Sequence, residues 1–368
     1  MPVLEYPVHM PETQDSGRSL SDWTAKARFV DPLSGPEWDE LVLRHPDANF
    51  FHSSAWAKVL AKSYQHTPLY LRFSHNDTLQ ALLPLMDVHS HFTGRRGVCL
   101  PFSDFCAPLL FRGYEPGVVL ERLAALAHER NWSHYEIRDG DWLGTSGQPS
   151  VDYYGHKLDL RRPSEDLFAG FSASVRRAIR KAEKSGLTVE LCRSWEAVLE
   201  FYRLHVATRR RHGLPPQPIS FFRNIFTEVI DAGLGFVIQA KLRSRPVAAA
   251  IFFRFGQTAL YKFGASDPSV LHLRANNLVM WEGIRTLARS GCETLHLGRT
   301  SLHGNNLRRF KLGWGVEEET IRYLERNTTA GEWVAESDQA VGRHNAIFSK
   351  MPLALNRLAG ALLYPHLD

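Results

Sequence analysis

Cysteine is scarce in this sequence of 368 residues: Cys99, Cys106, Cys192 and Cys292 are scattered, and no two of them form a CxxC pair. This spacing excludes a disulfide scaffold and gives no support to a zinc site, so we predict a reducing, cytoplasmic compartment and no metal. Long apolar runs are absent as well. The longest, Pro246–Phe253, has less than half of the ~20 residues that a membrane-spanning helix needs. We therefore expect no transmembrane segment and at most peripheral contact with a membrane.

Several catalytic signatures are also missing. The chain contains no HExxH zinc motif, no GxxxxGK[ST] phosphate loop and no GxSxG nucleophile motif, and no GxGxxG follows a predicted strand. These absences argue against the enzyme classes that those motifs mark. Apolar residues make up 44% of the chain and charged residues 23%, which is typical of a soluble globular protein and excludes a disordered or fibrous one.

Positive charge is concentrated in the second half of the chain. Through Gly155 the sequence has 13 Lys and Arg against 19 Asp and Glu, whereas residues 156–327 have 28 against 16. This excess predicts that the second half meets an anion, such as a phosphate, a coenzyme or a nucleic acid. The alternative is that many of the arginines only solubilise exposed helix faces.

One order of elements occurs twice along the chain: a helix, a hairpin or meander of strands, a second helix and a closing strand. The first set covers 53–62, 69–73, 79–88, 117–128 and 134–138, and the second covers 220–230, 235–242, 246–255, 258–263, 277–289 and 293–297. The duplication predicts an α/β protein of the α+β type with two tandem domains, each a mostly antiparallel or mixed sheet flanked by helices. Acyltransferases of the GNAT fold are built in this way.

We divide the chain into an N-terminal extension at 1–35, a first GNAT-like domain at 36–155, a second with the transfer site at 156–328, and a C-terminal helical extension at 329–368. In that last extension, apolar residues recur at helical spacing between Asn345 and Tyr364. Only Lys350 and Arg357 supply basic charge there. We therefore expect its apolar residues to pack against their own domain rather than on a membrane or a partner.

A basic helix is predicted at 172–186, with Ser172 or Ser174 as its cap and Gly186 at its end. Its cations are Arg176, Arg177, Arg180, Lys181 and Lys184. Like charges at i,i+4 repel by roughly 0.2–0.5 kcal/mol per pair, so a helix of this kind often has an anionic partner. We predict contact with phosphates of a nucleic acid or a phosphorylated substrate. A solvated helix face is the alternative.

A second anion site is predicted where a strand leads into the second helix of the later half. Backbone N–H groups at a helix start can hold a phosphate, and Arg274, Asn276 and Asn277 add a charge and hydrogen-bond donors. In GNAT-type enzymes the pyrophosphate of coenzyme A occupies the matching place, in a glycine-rich loop. Here no glycine occurs between Gly264 and Gly283, and bulkier residues hinder the approach of a pyrophosphate. This weakens the case for acetyl-CoA as the donor.

A third candidate segment, 297–315, follows a strand and contains four glycines. Its basic residues include Arg299, Arg309 and Lys311. Polar loops at strand ends often carry function. We expect the apolar neighbours Phe310 and Leu312 to aim Lys311 inward, where its charge would stabilise the oxyanion of an acyl-transfer intermediate. The alternative is a structural loop whose glycines serve turns.

No side-chain nucleophile is evident, so we predict that an acceptor amine attacks an activated carbonyl directly. The catalytic candidates are Lys311 for the oxyanion and Tyr261 or Glu282 as the base, with a substrate phosphate as a third possible base. The carboxylates of Asp104 and Glu136 cannot be paired with partners from the sequence alone.

Three pieces of the sequence resemble the FemAB family of GNAT-fold transferases, including the related BioF2-like acetyltransferase group. They are Ser174–Leu187, the Gly298–Arg299 loop and Arg309–Gly315, within a resemblance that runs from about residue 50 to 324. The resemblance implies two tandem GNAT-like domains and an aminoacyl- or acyltransferase activity. Known members extend peptidoglycan cross-bridges with aminoacyl-tRNA, and others act in exopolysaccharide pathways. It also implies that Lys311 lies near the acceptor and that the basic helix is a cationic surface.

We therefore expect an enzyme that moves an acyl or aminoacyl group to an amine acceptor in cell-envelope or exopolysaccharide metabolism. Its donor would be aminoacyl-tRNA or acyl-CoA, bound only as a substrate, so that tRNA is an expected partner and DNA is not. The first alternative is an acetyl-CoA-dependent N-acetyltransferase. The second is a non-catalytic binding protein that keeps the fold, since a fold does not fix a function.

Overall fold

The structure is a computed structural model that describes residues 27–76, 78–111, 114, 116–140, 142, 151–334 and 345–367. Most of the N-terminal extension predicted at 1–35 lies outside the described residues, as does part of the C-terminal extension, at 335–344 and 368.

Among its described residues the first half contains three α-helices and eight strands. The helices are α1 (Glu37–Val42), α2 (Ser54–Tyr64) and α3 (Pro116–Glu129). The strands are β1 (Ala27–Val30), β2 (Thr67–Pro68), β3 (Tyr70–His75), β4 (Thr78–Leu83), β5 (Met86–Ser90), β6 (Gly94–Val98), β7 (Leu109–Leu110) and β8 (His134–Arg138). The strand pairs described within this half are antiparallel except for the parallel pair β6–β8.

The second half and the C-terminal segment complete the molecule. Their helices are α4 (Ser164–Gly170), α5 (Ala173–Glu183), α6 (Trp195–Arg211), α7 (Ile219–Ile225), α8 (Ala275–Arg289), α9 (Asn305–Leu312), α10 (Asn345–Lys350) and α11 (Leu353–Leu363). Their strands are β9 (Val151–Asp159), β10 (Leu187–Cys192), β11 (Gly235–Leu242), β12 (Arg245–Phe255), β13 (Thr258–Ser266), β14 (Thr294–His296), β15 (Thr300–Ser301), β16 (Glu317–Asn327) and β17 (Trp333–Val334).

Two predicted helix starts are confirmed in detail. The hydroxyl of Ser53 accepts the backbone N–H of Trp56 at 3.3 Å and begins α2. The hydroxyl of Ser172, rather than that of Ser174, accepts the N–H of Val175 at 3.3 Å and begins the basic helix α5. Each bond satisfies one of the N–H groups that have no partner within the first turn.

One large sheet contains strands from both halves of the chain. Its order is β10-β11-β12-β13-β14-β9-β16-β8-β6-β5-β2, with β15 also paired to β9 and β17 to β16. The long strand β16 makes the connection, because it pairs with β9 along one edge and with β8 of the first half along the other. The boundary predicted at residue 155 falls within β9, so the two halves share a continuous sheet.

A smaller sheet, in the order β1-β3-β4-β7, belongs to the first half alone. The sequence predicted a single strand over 79–88, and this was wrong. The structure divides that segment at Pro84 and Leu85 into β4, in the small sheet, and β5, in the large sheet. Proline has no N–H to donate to a strand ladder, which explains the interruption at this position.

An aromatic core that packs against the large sheet joins the two halves of the chain. Phe50 stacks on Phe253 with ring centroids 4.3 Å apart, and the ring of Trp56 lies 6.0 Å from that of Phe221. All four side chains are at most 2% exposed. Since Phe50 and Trp56 come from the first half and their partners from the second, this packing fixes the position of one half against the other.

The leucines of the C-terminal helix α11 face outward, although the sequence predicted that its apolar residues pack against their own domain. Its buried residues are Asn356 and Gly360, whereas Leu355, Leu358 and Leu362 are 54%, 55% and 63% exposed. A Cβ on Gly360 would lie 1.9 Å from the carbonyl oxygen of Pro216. The close approach of the helix to that loop therefore requires a glycine, and it turns the leucines outward. Within the described ranges, no helix combines the length and the apolar character needed to cross a bilayer.

We predict that Gly360→Ala detaches α11 from the body of the protein. The added methyl group meets a backbone oxygen, which cannot rotate away, so the loss should be about 1–3 kcal/mol of unfolding free energy. Denaturant unfolding and hydrogen exchange in Leu353–Leu363 would measure it. Gly117→Ala in α3, where nothing lies within 4 Å of the new Cβ, should be neutral or slightly stabilising. Equal stability of Gly360→Ala and the wild type would contradict the tight docking.

Candidate functional site

Two neighbouring parallel strands of the large sheet separate in the second half. β14 pairs with β13 only at Thr258, Ala259 and Leu260, whereas β13 continues along β12 as far as Ser266. Beyond the last shared pair, Leu260 and His296, the two strands diverge. The opening between them is where side chains from several parts of the chain meet.

A β-bulge at Lys262 sends this lysine into the opening. The register between β12 and β13 shifts there, from Phe252 opposite Tyr261 to Ile251 opposite Phe263. The bulge lets Lys262 point toward the first half of the chain, where its Nζ lies 4.8 Å from the centre of the Phe51 ring. Bulges commonly redirect a side chain in this way beside a functional site.

Asp104, from the first half, forms an ion pair with Lys262. The Nζ of Lys262 donates to Asp104 Oδ2 at 3.0 Å and to the carbonyl oxygen of Phe102 at 2.7 Å. Burial by itself would raise the pKa of Asp104, but Lys262, Arg299 and Lys311 outweigh it, so the pKa lies below its usual value. The Asp104 carboxylate is therefore ionised at neutral pH.

The loop that carries Asp104 is held by a tyrosine of β16. The hydroxyl of Tyr323 lies 3.1 Å from the carbonyl oxygen of Ser103 and 2.9 Å from that of Asp104. The guanidinium of Arg138 adds a bond from its Nη1 to the oxygen of Ser103 at 2.9 Å. These contacts fix the position of the Asp104 backbone from two neighbouring strands, β8 and β16.

A turn at Gly298 presents two carbonyl groups to Lys311. Gly298 has φ +74°, in the region that favours glycine, and its N–H donates to Nδ1 of His296 at 2.8 Å. The Nζ of Lys311 donates to the carbonyl oxygens of Gly298 at 2.8 Å and Arg299 at 3.0 Å. The turn thus anchors the ammonium group of Lys311 in the opening.

Lys311 is buried, as predicted, but it lies on a helix rather than in a loop. It belongs to α9, which occupies part of the segment 297–315, and the residue is only 3% exposed. Burial lowers its pKa to about 8, with Lys262 and Arg299 acting in the same direction and Asp104 opposing them. Leu312 is 42% exposed, so the periodicity of the helix, not apolar neighbours, turns Lys311 inward.

Arg299 completes a cluster of three cations around one carboxylate. Its guanidinium lies 4.4 Å from the centre of the Tyr153 ring and 4.7 Å from that of Tyr323, which favours a buried cation. We call Asp104, Lys262, Arg299 and Lys311 the charged cluster. Formally it carries three positive charges and one negative, so it provides a positive potential at the opening between the strands.

Two histidines beside the cluster are neutral at physiological pH. Burial lowers the pKa of His156 to about 4 and also lowers that of His296. Because Nδ1 of His296 accepts the N–H of Gly298, its proton resides on Nε2, which faces Glu319 at 3.2 Å. His296 therefore positions the turn. Among the described residues, no group of three or more His, Cys, Asp and Glu side chains is placed to hold a metal ion.

A basic cleft of about 820 Å³ lies on the other side of α9. It is bounded by α5, by the start of α8 and by α9, and its cationic and amide lining residues are Arg177, Lys181, Arg274, Asn277, Asn306 and Arg309. No Asp or Glu is among the residues that line it. The volume is within the ~300–1,000 Å³ of small-molecule sites, and the lining suits a phosphorylated ligand.

Five of the nine predicted binding residues thus lie together, and the other four lie elsewhere. The side chain of Arg176 donates to the carbonyl oxygen of Ala169, and that of Arg180 lies over the ring of Phe168. Asn276 donates to the hydroxyl of Ser266 at 3.1 Å. Arg299 belongs to the charged cluster rather than to the cleft.

The two candidate bases are not in equivalent positions. Tyr261 lies on β13, beside the bulge, and burial raises the pKa of its hydroxyl to about 12. A phenol with that pKa remains protonated at neutral pH and is a proton donor rather than a base. Glu282 lies on α8, where it pairs with Arg285 at 3.1 Å. Among the described residues, neither Glu282 nor Tyr261 touches a side chain of the charged cluster, but Tyr261 directly precedes Lys262 on β13.

The sequence contained little that could identify the remaining members of the site. Lys262 and Asp104 are 158 positions apart, and neither belongs to a recognisable motif. Tyr323 lies in β16, and the pattern of polar and apolar residues in that strand does not distinguish it as a functional residue. The one available signal was Lys262 itself, because a charged residue within an apolar strand often marks a bulge or a functional site.

The geometry agrees with comparisons to known proteins. Residues 169–312 match the family model of the GNAT acetyltransferase domain. The match begins before the basic helix and ends just after Lys311, so it contains the separated strands and the basic cleft. The acyltransferase class predicted from the sequence is confirmed for this segment. A comparison with curated protein sequences found no match.

Solved structures with the same fold extend over most of the chain. The crystal structure of FemX has a TM-score of 0.65 and 14% identity, covering 80% of this chain and 96% of FemX. The L-PGS of Bacillus licheniformis has a TM-score of 0.52 and 14% identity, covering 92% and 99%. A tandem GNAT protein from the clavulanic acid biosynthesis pathway has a TM-score of 0.53 and 10% identity, covering 85% and 100%. The predicted GNAT-type fold is confirmed, and the chain shares this fold with FemX.

Proposed function

We propose that this protein transfers an acyl or aminoacyl group from a phosphate-bearing donor to an amine acceptor. The observation that carries the proposal is the position of α9. One side of this helix places Lys311 in the charged cluster, and the other side places Arg309 in the basic cleft. A donor bound through its phosphates in the cleft would therefore have its carbonyl group near the cluster.

The charged cluster fits the electronic demand of acyl transfer. Attack of an amine nitrogen on the donor carbonyl forms a C–N bond and moves negative charge onto the carbonyl oxygen. An ammonium group has three N–H donors, and Lys311 uses two of them for Gly298 and Arg299. The third is directed to the oxyanion. Collapse of the intermediate then breaks the bond to the leaving sulfur or oxygen.

The ionisation states of the site residues indicate which of them can take part in the proton transfers. The attacking amine must lose a proton, and the leaving group must gain one. Tyr261, whose pKa is raised to about 12 by burial, supplies the proton to the leaving group. Asp104 is ionised but already paired with Lys262, so the acceptor amine loses its proton to a substrate phosphate or to water before it attacks. Glu282 has no part in this arrangement.

The first candidate donor is aminoacyl-tRNA. Arg176 lies on α5 and Lys184 caps its C-terminal end, and neither lines the cleft, so the cationic surface extends beyond one small ligand. A polynucleotide with many phosphates would use both sets of cations. On the basis of the FemAB resemblance, we propose that the acceptor belongs to cell-envelope or exopolysaccharide metabolism and that tRNA is the partner in the donor step.

The second candidate donor is acyl-CoA, favoured by a different observation. The cleft is enclosed by α5 and the start of α8, and Arg274 and Asn277 lie at that start. A helix start with adjacent cations is a natural site for a compact diphosphate. An acetyl-CoA-dependent N-acetyltransferase would need only the cleft and none of the cations outside it.

Paired substitutions on α5 distinguish the donors. Arg177→Gln/Lys181→Gln removes two cations from the cleft and should weaken binding of either donor by at least about tenfold, since a charge-assisted bond contributes roughly 1.5–3 kcal/mol. Arg176→Gln/Lys184→Gln removes the same charge from the same helix outside the cleft. It should weaken tRNA binding and reduce its salt dependence, but leave acyl-CoA binding unchanged.

Calorimetric titration with acetyl-CoA and with aminoacylated and uncharged tRNA provides the measurement. Preference for the aminoacylated tRNA would identify the first donor, and saturable binding of acetyl-CoA would identify the second. If neither donor binds and the cleft variants change nothing, the protein is a non-catalytic member of the fold and the proposal is wrong.

A further inference from the structure

The outward face of α11 is apolar over most of its length. Leu355, Leu358 and Leu362 recur at a spacing that places them on one side of the helix, and each is more than half exposed. They form a ridge along roughly 10 Å of helix, at 1.5 Å per residue. Ile347 on the preceding helix α10 is 61% exposed as well.

The tip of the β5–β6 hairpin adds a second apolar projection beside this ridge. Phe92 is 80% exposed, and its ring lies 4.6 Å from that of His366, just beyond the end of α11. The guanidinium of Arg96 donates to the carbonyl oxygen of His366 at 3.1 Å. Two separate parts of the chain are therefore held together as one surface, which we call the C-terminal face (residues 88–98 and 345–367).

The charge of the C-terminal face has one sign. Its exposed and unpaired cations are Lys350 and Arg357, whereas Arg96 is buried, and neither segment contains Asp or Glu. The adjoining acid Asp87 is buried and paired with Arg95 at 2.9 Å. The first half as a whole carries an excess of acids, so the basic character of this face is local.

We propose that the C-terminal face binds the surface of a membrane that contains anionic lipids. Exposed leucines and a projecting phenyl ring insert among the upper parts of the acyl chains, and the cations meet the headgroups. The main competing occupant is a second copy of the chain. A twofold contact through this face would bring Lys350 and Arg357 close to the same cations of the second copy, whereas anionic headgroups would neutralise them, so charge complementarity favours the lipid surface.

Vesicle flotation of the full chain tests the proposal. We expect binding to vesicles of phosphatidylcholine mixed with phosphatidylglycerol, weakening as salt rises and much weaker for phosphatidylcholine alone. Leu355→Gln/Leu358→Gln/Leu362→Gln should reduce the affinity by at least about thirtyfold, because each half-exposed leucine contributes roughly threefold to tenfold on insertion. Glutamine retains the helix propensity of leucine closely enough to keep α11 folded.

The matched control is Leu43→Gln, which removes a leucine of similar exposure, 50%, at the end of α1. Leu43→Gln should bind vesicles with the affinity of the wild type. Lys350→Gln should lower only the salt-dependent part of that affinity. Failure of the wild type to bind mixed vesicles would overturn the proposal, as would wild-type affinity in the triple leucine variant. A wild-type dimer in sedimentation, lost in the triple variant and without vesicle binding, would instead assign the face to a second copy.

Discussion

Lys311→Met should lower kcat by about 10²–10³-fold, the usual cost of removing one donor to a developing oxyanion. Methionine fills a similar volume, so the packing of α9 should change little. The Michaelis constant of the donor should change far less than kcat, because the basic cleft lies on the opposite side of the helix. Steady-state kinetics with the donor identified by titration would measure both quantities.

The control for this variant is Arg308→Gln on the same helix. Arg308 pairs with Glu318 at 2.7 Å near the surface, so its loss removes a cation from α9 without reaching the charged cluster. Its kcat should remain within about twofold of the wild type, in keeping with the small energies of exposed ion pairs. Equal activity of Lys311→Met and Arg308→Gln would show that Lys311 does not act on the transition state.

The pH dependence of kcat separates two possible roles of Lys311. Because burial lowers its pKa to about 8, the ammonium is charged below that pH and neutral above it. A role in stabilising the oxyanion requires the charged form, so kcat should fall as pH rises through about 8. Lys311→Arg should lose this descending limb, since arginine stays charged. A rate that instead rises through pH 8 in the wild type alone would make neutral Lys311 the base.

Only the part of the basic cleft that lies on a single helix could be predicted from the sequence. Arg177 and Lys181 are separated by four positions, and residues at i and i+4 share a helix face. Arg274 and Arg309 reach the same cleft from two other elements. Their meeting depends on the packing of α8 and α9 against α5, which no local pattern contains.

The interior of the site was beyond sequence reasoning for a similar reason. Lys311 was expected to point inward, and it does, but the expectation rested on a loop flanked by apolar residues. The structure has a helix there, with its own periodicity. Tyr261 was a candidate base because of its residue type, but burial raises its pKa to about 12, so its hydroxyl stays protonated at neutral pH. Ionisation depends on surroundings that only the fold supplies.

Asp104→Asn should destabilise the protein by about 3–5 kcal/mol of unfolding free energy. Lys262 has a side chain only 8% exposed, and without Asp104 its charge would remain buried and unpaired, which is the costly way to disrupt a buried ion pair. The effect should appear as a lower midpoint in urea or guanidinium denaturation with an unchanged slope. Since the pair joins the first half to β13, hydrogen exchange should also increase along both.

A second substitution determines whether the ion pair is the cause. Asp104→Asn/Lys262→Met removes both members of the ion pair, so much of the lost stability should return, as it does when buried ion pairs are replaced by apolar side chains. The comparison is Glu190→Gln, which removes a carboxylate 2.7 Å from Lys241 in a more exposed pair and should cost no more than about 1 kcal/mol. If the double variant were no more stable than Asp104→Asn alone, the lost stability would come from the interaction of the carboxylate with Arg299 and Lys311, which both variants remove as well.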